Sequence, residues 1–424
     1  MWSRWSRARS LTVAALTERQ YTLPMFFAAL VDHLQALADW LPTWLLYLSA
    51  CLGHAYLWTV GLNLLYGKPL PHWVLKFTRK VDILFILSGP VIFWFAIDLG
   101  ATQHLDWNSG RPRAWLAPYT VIACAFGLII GPAAQVRYWL RRLAPQQTAC
   151  TSRIVDVARE LGYSPSGGGK HAAACALPFN QVFEVEFNQK TFVLPQLPAA
   201  WDGLTILHLT DLHLCGTPDR RFHQFVIDQC LRDGAPDLVA LTGDVVDSSW
   251  HHRWIMPVLG RLRWNVAAFA ILGNHDSWRD EKVIRRRLRR IGMRVLGNSW
   301  ETLDIRGEPM IVIGHEGPWF APPPDMANCS SGPFRLCLSH TPDNIPWARR
   351  NNIDLVLAGH VHGGQIRFPL IGATFVPSRF SRRYDCGTFF EPPTVMHVCR
   401  GVAGQHPYRM LCRPEVTRIV LKRG

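Results

Sequence analysis

The sequence predicts a layered α/β domain preceded by an N-terminal helical membrane domain. Three observations lead there. The first third holds three long apolar segments. Behind them, short apolar runs alternate with helical stretches, the pattern of strands and helices packed in layers. Those runs also end in residues able to bind metal, as expected where strands deliver side chains to one edge of a sheet. At 424 residues the chain is too long for one typical domain.

The membrane domain comes first, over residues 1–145. Leu41–Tyr66 carries no charge over 26 residues, enough to span a bilayer. Val81–Leu99 is shorter, with Asp82 and Asp98 near its ends and Pro90 inside it. Ala114–Ala134 is 21 uncharged residues. A cleaved signal peptide fits poorly, because the first apolar run starts late and is too long. Lys68, Lys76, Arg79 and Lys80 follow the first segment, and Arg137, Arg141 and Arg142 follow the third. Only Arg111 and Arg113, offset by Asp106, lie between the second and third. The positive-inside rule then predicts a cytoplasmic C-terminal portion. Arg4, Arg7, Arg9 and Arg19 argue the other way. His54 and Asn63 are polar residues within the first segment and read as hydrogen-bonding groups in helix packing.

Composition narrows the partners. The formal charge of +14 suits anionic surroundings: lipid head groups, phosphate esters or nucleic acid. Eleven cysteines, an odd number with no C-x-x-C pair, form neither a disulfide framework nor a zinc ribbon. They favour a reducing compartment.

Residues 146–180 read as a linker, because Ser164–Cys175, "SPSGGGKHAAAC", has the composition of a flexible connection. Residues 181–424 form the soluble domain. Gln181–Phe187 alternates apolar and polar as a strand does, and Gly203–Leu214 begins as a buried strand. Further apolar runs precede Asp244, Asn274, His315, His340 and His360, with helical stretches at Asp219–Asp233 and Arg279–Ile291. No internal repeat is evident.

The chemistry lies at the run ends. They read Asp211-Leu-His213, Gly243-Asp244 with Asp247 after it, Gly273-Asn274-His275, Ser339-His340 and Gly359-His360-Val-His362. Gly243, Gly273 and Gly359 let the chain turn sharply on leaving the sheet. Imidazole suits manganese, iron or zinc, and carboxylate and amide oxygens are harder ligands, so the set fits a pair of divalent ions. Two such ions about 3.5–4 Å apart hold a phosphate and acidify a shared water.

In this order, D-x-H, G-D-x-x-D, G-N-H-D, S-H and G-H-x-H resemble the calcineurin-like metallophosphoesterase superfamily, over about residues 200–412. The stretches "GHVHGGQ" and "LPAAWDGLTILHLTDLHL" are similar to its bacterial membrane-associated subgroup, which joins a membrane anchor to the phosphoesterase domain. The resemblance implies a two-sheet β-sandwich flanked by helices. It implies that Asp211, His213 and His362 bind one metal ion and Asn274, His340 and His360 the second, with Asp244 bridging. It makes His275 the group that faces substrate and protonates the leaving oxygen, and Asp247 the acid that orients it. Thr210 stands where Ser is commoner in the family and keeps the hydroxyl.

The substrate expected from anchor and charge is a phosphate ester at the membrane, with a lipid or lipid-linked nucleotide as the class the anchor favours. Cleavage of nucleic acid fits the charge but not the anchor. A transporter or receptor whose soluble domain binds metal or nucleotide without hydrolysis is the alternative, and the intact His275 argues against it. The oligomeric state is not legible. His208, His223, His251, His252, His315 and His397 read as surface or satisfied core residues. Glu281–Arg290, "EKVIRRRLRR", is either a contact for anionic head groups or a solvated helix face. Pro322–Pro324 make a stiff loop that could rim the site. Phe368–Gly387 is either a lipid-facing entrance or an ordinary surface loop.

Overall fold

A computed structural model describes residues 43–97, 112–141, 144–320 and 322–424. Arg4, Arg7, Arg9, Arg19, Asp98, Asp106, Arg111 and Arg142 lie outside the described residues, as do the ends of the first two predicted apolar segments. The chain divides into two compact units, Met1–Thr59 with Arg79–Trp139 and Val60–Thr78 with Leu140–Gly424.

Helices α1 (Thr43–Tyr66) and α2 (His72–Ile97) are followed by α3 (Pro112–Ala125), a π-helical turn at Phe126–Ile130 and α4 (Gly131–Trp139). Three stretches, Thr43–Tyr66, His72–Ile97 and Leu116–Trp139, are long and apolar enough to cross a membrane. The second helix starts at His72 rather than Val81, because Lys76, Arg79 and Lys80 fit its first turns without breaking it. In the first unit, Leu46, Ala50, Phe93, Ala96, Ile97 and Ala123 pack together. A Cβ added at Gly53 would overlap Ala123 O, and one at Gly127 would overlap Ser49 O. Small residues thus bring α1 and the third apolar helix backbone to backbone, as in membrane helix pairs. His54 is bound as expected of a packing residue, Nδ1 at 2.5 Å from the Tyr119 hydroxyl and Nε2 at 2.7 Å from Phe85 O.

The second unit is built on two sheets. The larger one contains β1 (Gln147–Asp156), β2 (Glu184–Leu194), β3 (Thr205–Leu209), β4 (Leu238–Thr242), β5 (Ala267–Ile271), β6 (Arg294–Val295) and β15 (Glu415–Arg423), in the order β1-β2-β15-β3-β4-β5-β6. The other contains β7 (Trp300–Ile305), β8 (Glu308–His315), β9 (Phe334–Ser339), β10 (Leu355–Ala358), β13 (Gly387–Glu391) and β14 (Thr394–Val398), in the order β13-β14-β10-β9-β8-β7. A small hairpin of β11 (Arg367–Phe368) and β12 (Gly372–Ala373) stands apart. Phe192, Trp201, Ile206, Phe269, Val312, Leu336 and Leu357 are among the buried side chains between the sheets. Helices α5 (Arg220–Cys230), α6 (Ile255–Leu259) and α7 (Glu281–Ile291) cover the outer face of the larger sheet through Phe222, Val226, Ile255, Ile284 and Leu288. Helix α8 (Ile345–Arg350) joins the core outside the smaller one. This is the two-sheet sandwich flanked by helices that the resemblance implies, preceded by three long apolar helices.

Two segments differ from the sequence reading. Residues 147–156, expected in a linker, form β1, which pairs antiparallel with β2 from Gln147↔Phe192 to Asp156↔Glu184. Strand formers there, Thr148, Thr151, Ile154 and Val155, outweigh the glycines that follow. The glycine-rich stretch itself packs closely. A Cβ at Gly167 (φ +63°) would overlap Gly216 O, and Gly169 N donates to Thr217 Oγ1 at 3.0 Å. Asn63, expected to bond another apolar helix, instead serves its own unit. Its Nδ2 donates to Thr374 O at 3.1 Å and Ser381 Oγ at 3.0 Å, and its Oδ1 accepts from Val376 N at 2.9 Å.

Candidate metal centre

The strands that carry the motifs run parallel, β3-β4-β5 in one sheet and β8-β9-β10 in the other. Their carboxyl ends therefore open on the same side within each sheet, and the loops leaving them meet between the sheets. Asp211 and His213 follow β3, Asp244 and Asp247 follow β4, Asn274 and His275 follow β5, His340 follows β9, and His360 and His362 follow β10. All nine residues named from the sequence come together.

They form three groups that share members. Asp211, His213, Asp244 and His362 place one ligand atom each within 4.8 Å of one another. Asp244, His340 and His360 do the same, as do His213, Asp247 and His275. Asn274 joins the second group, its Oδ1 3.0 Å from His340 Nε2. Asp244 faces both ways. Its Oδ2 lies 3.6 Å from His213 Nε2 and its Oδ1 3.4 Å from His340 Nε2.

These atoms fit divalent ions. His213 Nε2 and His362 Nε2 face each other at 3.2 Å, and both approach Asp211 Oδ1, at 3.7 and 3.6 Å. Asp244 Oδ2 and His360 Nε2 are buried with no hydrogen-bond partner, a costly state unless a ligand satisfies them. Seven nitrogen and oxygen donors around two points, one carboxylate shared between them, make a donor set suited to two divalent ions.

The backbone is shaped to deliver them. Asp211, His213, Asp244, His360 and His362 all have positive φ, between +44° and +71°, a region that costs an L residue about 1–2 kcal/mol. Such residues cluster where function demands the geometry. Gly359 has no room for a side chain: a Cβ would overlap Thr210 Oγ1 and lie 2.6 Å from Asp211 Oδ2.

Electrostatics divide the histidines. Burial and the neighbouring His340 press His360 down to about 3, and burial holds His362 well below the usual imidazole range. Both are neutral and ready to coordinate. Burial also opposes charge on His340, but Asp244 and Asp211 outweigh it and lift the group to about 9. Burial likewise opposes charge on His213, yet Asp247 and Asp211 raise it well above the usual value. Asp247 serves two imidazoles. Its carboxylate lies 3.0 Å from His213 Nδ1, and its Oδ1 lies 2.5 Å from His275 Nδ1. A carboxylate behind a coordinating histidine fixes its ring and its tautomer.

Several neighbours were not picked out from the sequence. Asp276 is fully buried and accepts from Val245 N, Val246 N and Gly273 N, locking the loops after β4 and β5 together. Trp319 lies against His360 and His340, with ring centres 4.7 and 5.4 Å apart. Trp278 lies 4.8 Å from the His275 ring and stacks on His72 at 4.3 Å. The buried Arg409 donates to His362 O at 3.1 Å and Arg400 O at 3.0 Å. The acid that locks a ligand loop is signalled by its place in G-N-H-D; the tryptophans and Arg409 carry no pattern of their own. The six histidines set aside lie outside the three groups. His208 and His397 join a buried network with Lys190 and Glu415, and His315 is held by Gly317 N and the Asn344 amide.

A sandwich whose strand ends bring seven such donors around two points, with a further histidine beside them, defines a binuclear metallohydrolase. A family description, calcineurin-like phosphoesterase, matches residues 204–364. Phosphodiesterase YaeI of Escherichia coli (strain K12) is 32% identical over 232 residues, 51% of this chain and 81% of its own length. An uncharacterized metallophosphoesterase, YkuE, from Bacillus subtilis (strain 168) is 28% identical over 247 residues, 56% of this chain and 86% of its own. A Danio rerio protein described as a transmembrane protein with metallophosphoesterase domain is 29% identical over 252 residues, 54% of this chain and 55% of its own. The chain belongs to the calcineurin-like phosphoesterases and is a phosphoesterase with the residues of a binuclear metal site.

Proposed function

We propose that the protein hydrolyses a phosphodiester or phosphomonoester at the membrane surface, with a lipid or lipid-linked nucleotide as substrate class. Asp244, whose two oxygens face the two donor groups, carries this reading. In it, Asp211, His213 and His362 hold one ion, Asn274, His340 and His360 the other, and Asp244 bridges them. Two divalent ions there would polarise the phosphoryl oxygens and make water acidic enough to ionise near neutral pH. His275 presents Nε2 to the leaving oxygen and donates its proton, while Asp247 fixes the ring through Nδ1. The imidazole near the transferred phosphoryl group also offsets its growing negative charge. Three apolar helices support membrane attachment. Lys68 in the turn after α1, Lys76, Arg79 and Lys80 in the first turns of α2, and Arg137 and Arg141 support a cytoplasmic catalytic domain. Arg141 is also paired with Asp385, so part of that charge is structural.

The test is turnover of bis(p-nitrophenyl) phosphate by the full chain in detergent, with manganese, iron or zinc added. Asp244→Asn is expected to lower kcat by about a hundredfold or more, since one carboxylate serves both ions. Full activity in that variant, or the same rate with chelator present, overturns the reading.

A further inference from the structure

The hairpin β11–β12 turns its apolar side chains outward. Arg367 points in, donating to Asp385 Oδ2 at 2.8 Å and Gly363 O at 2.9 Å, and Asp385 is fully buried. Ile366, Phe368, Leu370 and Ile371 point out, and Leu370 is 82% exposed. A two-stranded element facing water does the reverse, polar side out and apolar side in. Leu370 also sits at φ +63°, where Gly or Asn costs less, so the tip keeps an apolar side chain against its backbone preference.

The base of the hairpin is fixed to the end of an apolar helix. Asn63, in the last turn of α1, holds Thr374 and Val376, just after β12, and Ser381 further along the same connection. The Tyr66 ring meets Phe375 edge-on at 5.3 Å. Gly67 approaches so closely that a Cβ there would lie 2.6 Å from Arg379 N. Where α1 crosses a bilayer, Tyr66 and the turn to His72 mark its interface. The hairpin then lies at that depth, with the exposed Arg379 close by in sequence for anionic head groups, while Arg383 is paired with Glu391.

We infer that residues 366–371 form an interfacial membrane contact that dips its apolar tip into the bilayer next to the metal centre. The occupant is lipid. The hairpin begins at Arg367, five residues after His362, so the contact sits where a phosphoester with an acyl or prenyl tail would enter. This rests on the reading of the protein as a membrane phosphoesterase and narrows its substrate class to amphiphilic phosphoesters drawn from the interface.

The experiment uses the full chain reconstituted in vesicles of phosphatidylcholine and phosphatidylglycerol carrying a clickable acyl chain. A photoreactive benzoylphenylalanine in place of Leu370 is expected to capture lipid. The same probe in place of Glu308, at the amino-terminal end of β8, is not. No lipid adduct at 370, or an adduct with a second copy of the chain, overturns the inference. Capture needs no turnover, so it is read independently of the enzymatic proposal. In the Leu370→Asp/Ile371→Asp double variant, hydrolysis of a vesicle-embedded long-chain nitrophenyl phosphodiester is expected to fall about tenfold, for loss of the buried apolar surface. Hydrolysis of soluble bis(p-nitrophenyl) phosphate stays unchanged and reports that the variant is folded. Equal loss on both substrates, or loss on neither, counts against the contact.

Discussion

At the residue scale the centre depends on small groups as much as on ligands. Gly359→Ala leaves every donor in place but drives a methyl group into Thr210 and Asp211. The variant is expected to fold yet lose at least half its bound metal, as elemental analysis after gel filtration will show; normal metal content would mean that the loop can shift. The proton content of the histidines sets a second expectation. His340 is held up to about 9, so at pH 7 it carries a proton that an ion must displace. Metal affinity should rise with pH between 6 and 9, by up to about tenfold per unit for one displaced proton. Calorimetry in buffers of different ionisation enthalpy reads that release directly, and an affinity flat across the range contradicts it. The nine clustered residues were all legible in the sequence, because each follows a short apolar run and a turn. Trp278, Trp319 and Arg409 were not, since a lone tryptophan or arginine looks the same in a core as beside a site.

At the scale of elements, strands were easier to read than connections. The buried runs Leu238–Thr242 and Ala267–Ile271 stand out because both sheet faces are covered. Strand β1 was hidden by the glycines that follow it, and its mostly exposed residues give little apolar contrast. The basic helix α7 proved mixed. Lys282, Arg286, Arg289 and Arg290 are exposed, but Arg285 pairs with the buried Glu316 at 2.9 and 2.5 Å. Glu316 in turn accepts from Leu272 N at 2.7 Å, just before the Gly273-Asn274-His275 turn. Arg285→Met leaves that carboxylate without its cation, a loss of about 3 kcal/mol. Thermal unfolding should fall by roughly 6–10 °C for a domain of this size. Glu316→Gln in the same background should recover part of it, whereas no shift in the single variant would show that the pair is idle.

At the scale of the whole molecule, the sequence separates a helical N-terminal third from a sandwich, and one segment crosses that division. Val60–Thr78, the end of α1, the turn after it and the start of α2, belongs with the catalytic unit. Hydropathy sees only the helices on either side, so the affiliation of the turn is invisible without its hydrogen bonds. The expected sidedness has a direct check: in inside-out vesicles, protease added from outside should cleave the exposed loop near Pro322–Pro324, and in right-side-out vesicles it should not. The opposite pattern reverses the topology. The left-handed backbone of Asp211, His213, Asp244, His360 and His362 bears on the life of the protein in a cell. At about 1 kcal/mol each, the cost approaches the lower end of a domain's net stability. Ions that bind only the folded chain offset it by mass action. If these residues hold two ions, a newly made chain starved of metal would be an underfolded client of the proteolytic machinery as well as an idle enzyme, and its abundance would follow the cell's metal supply.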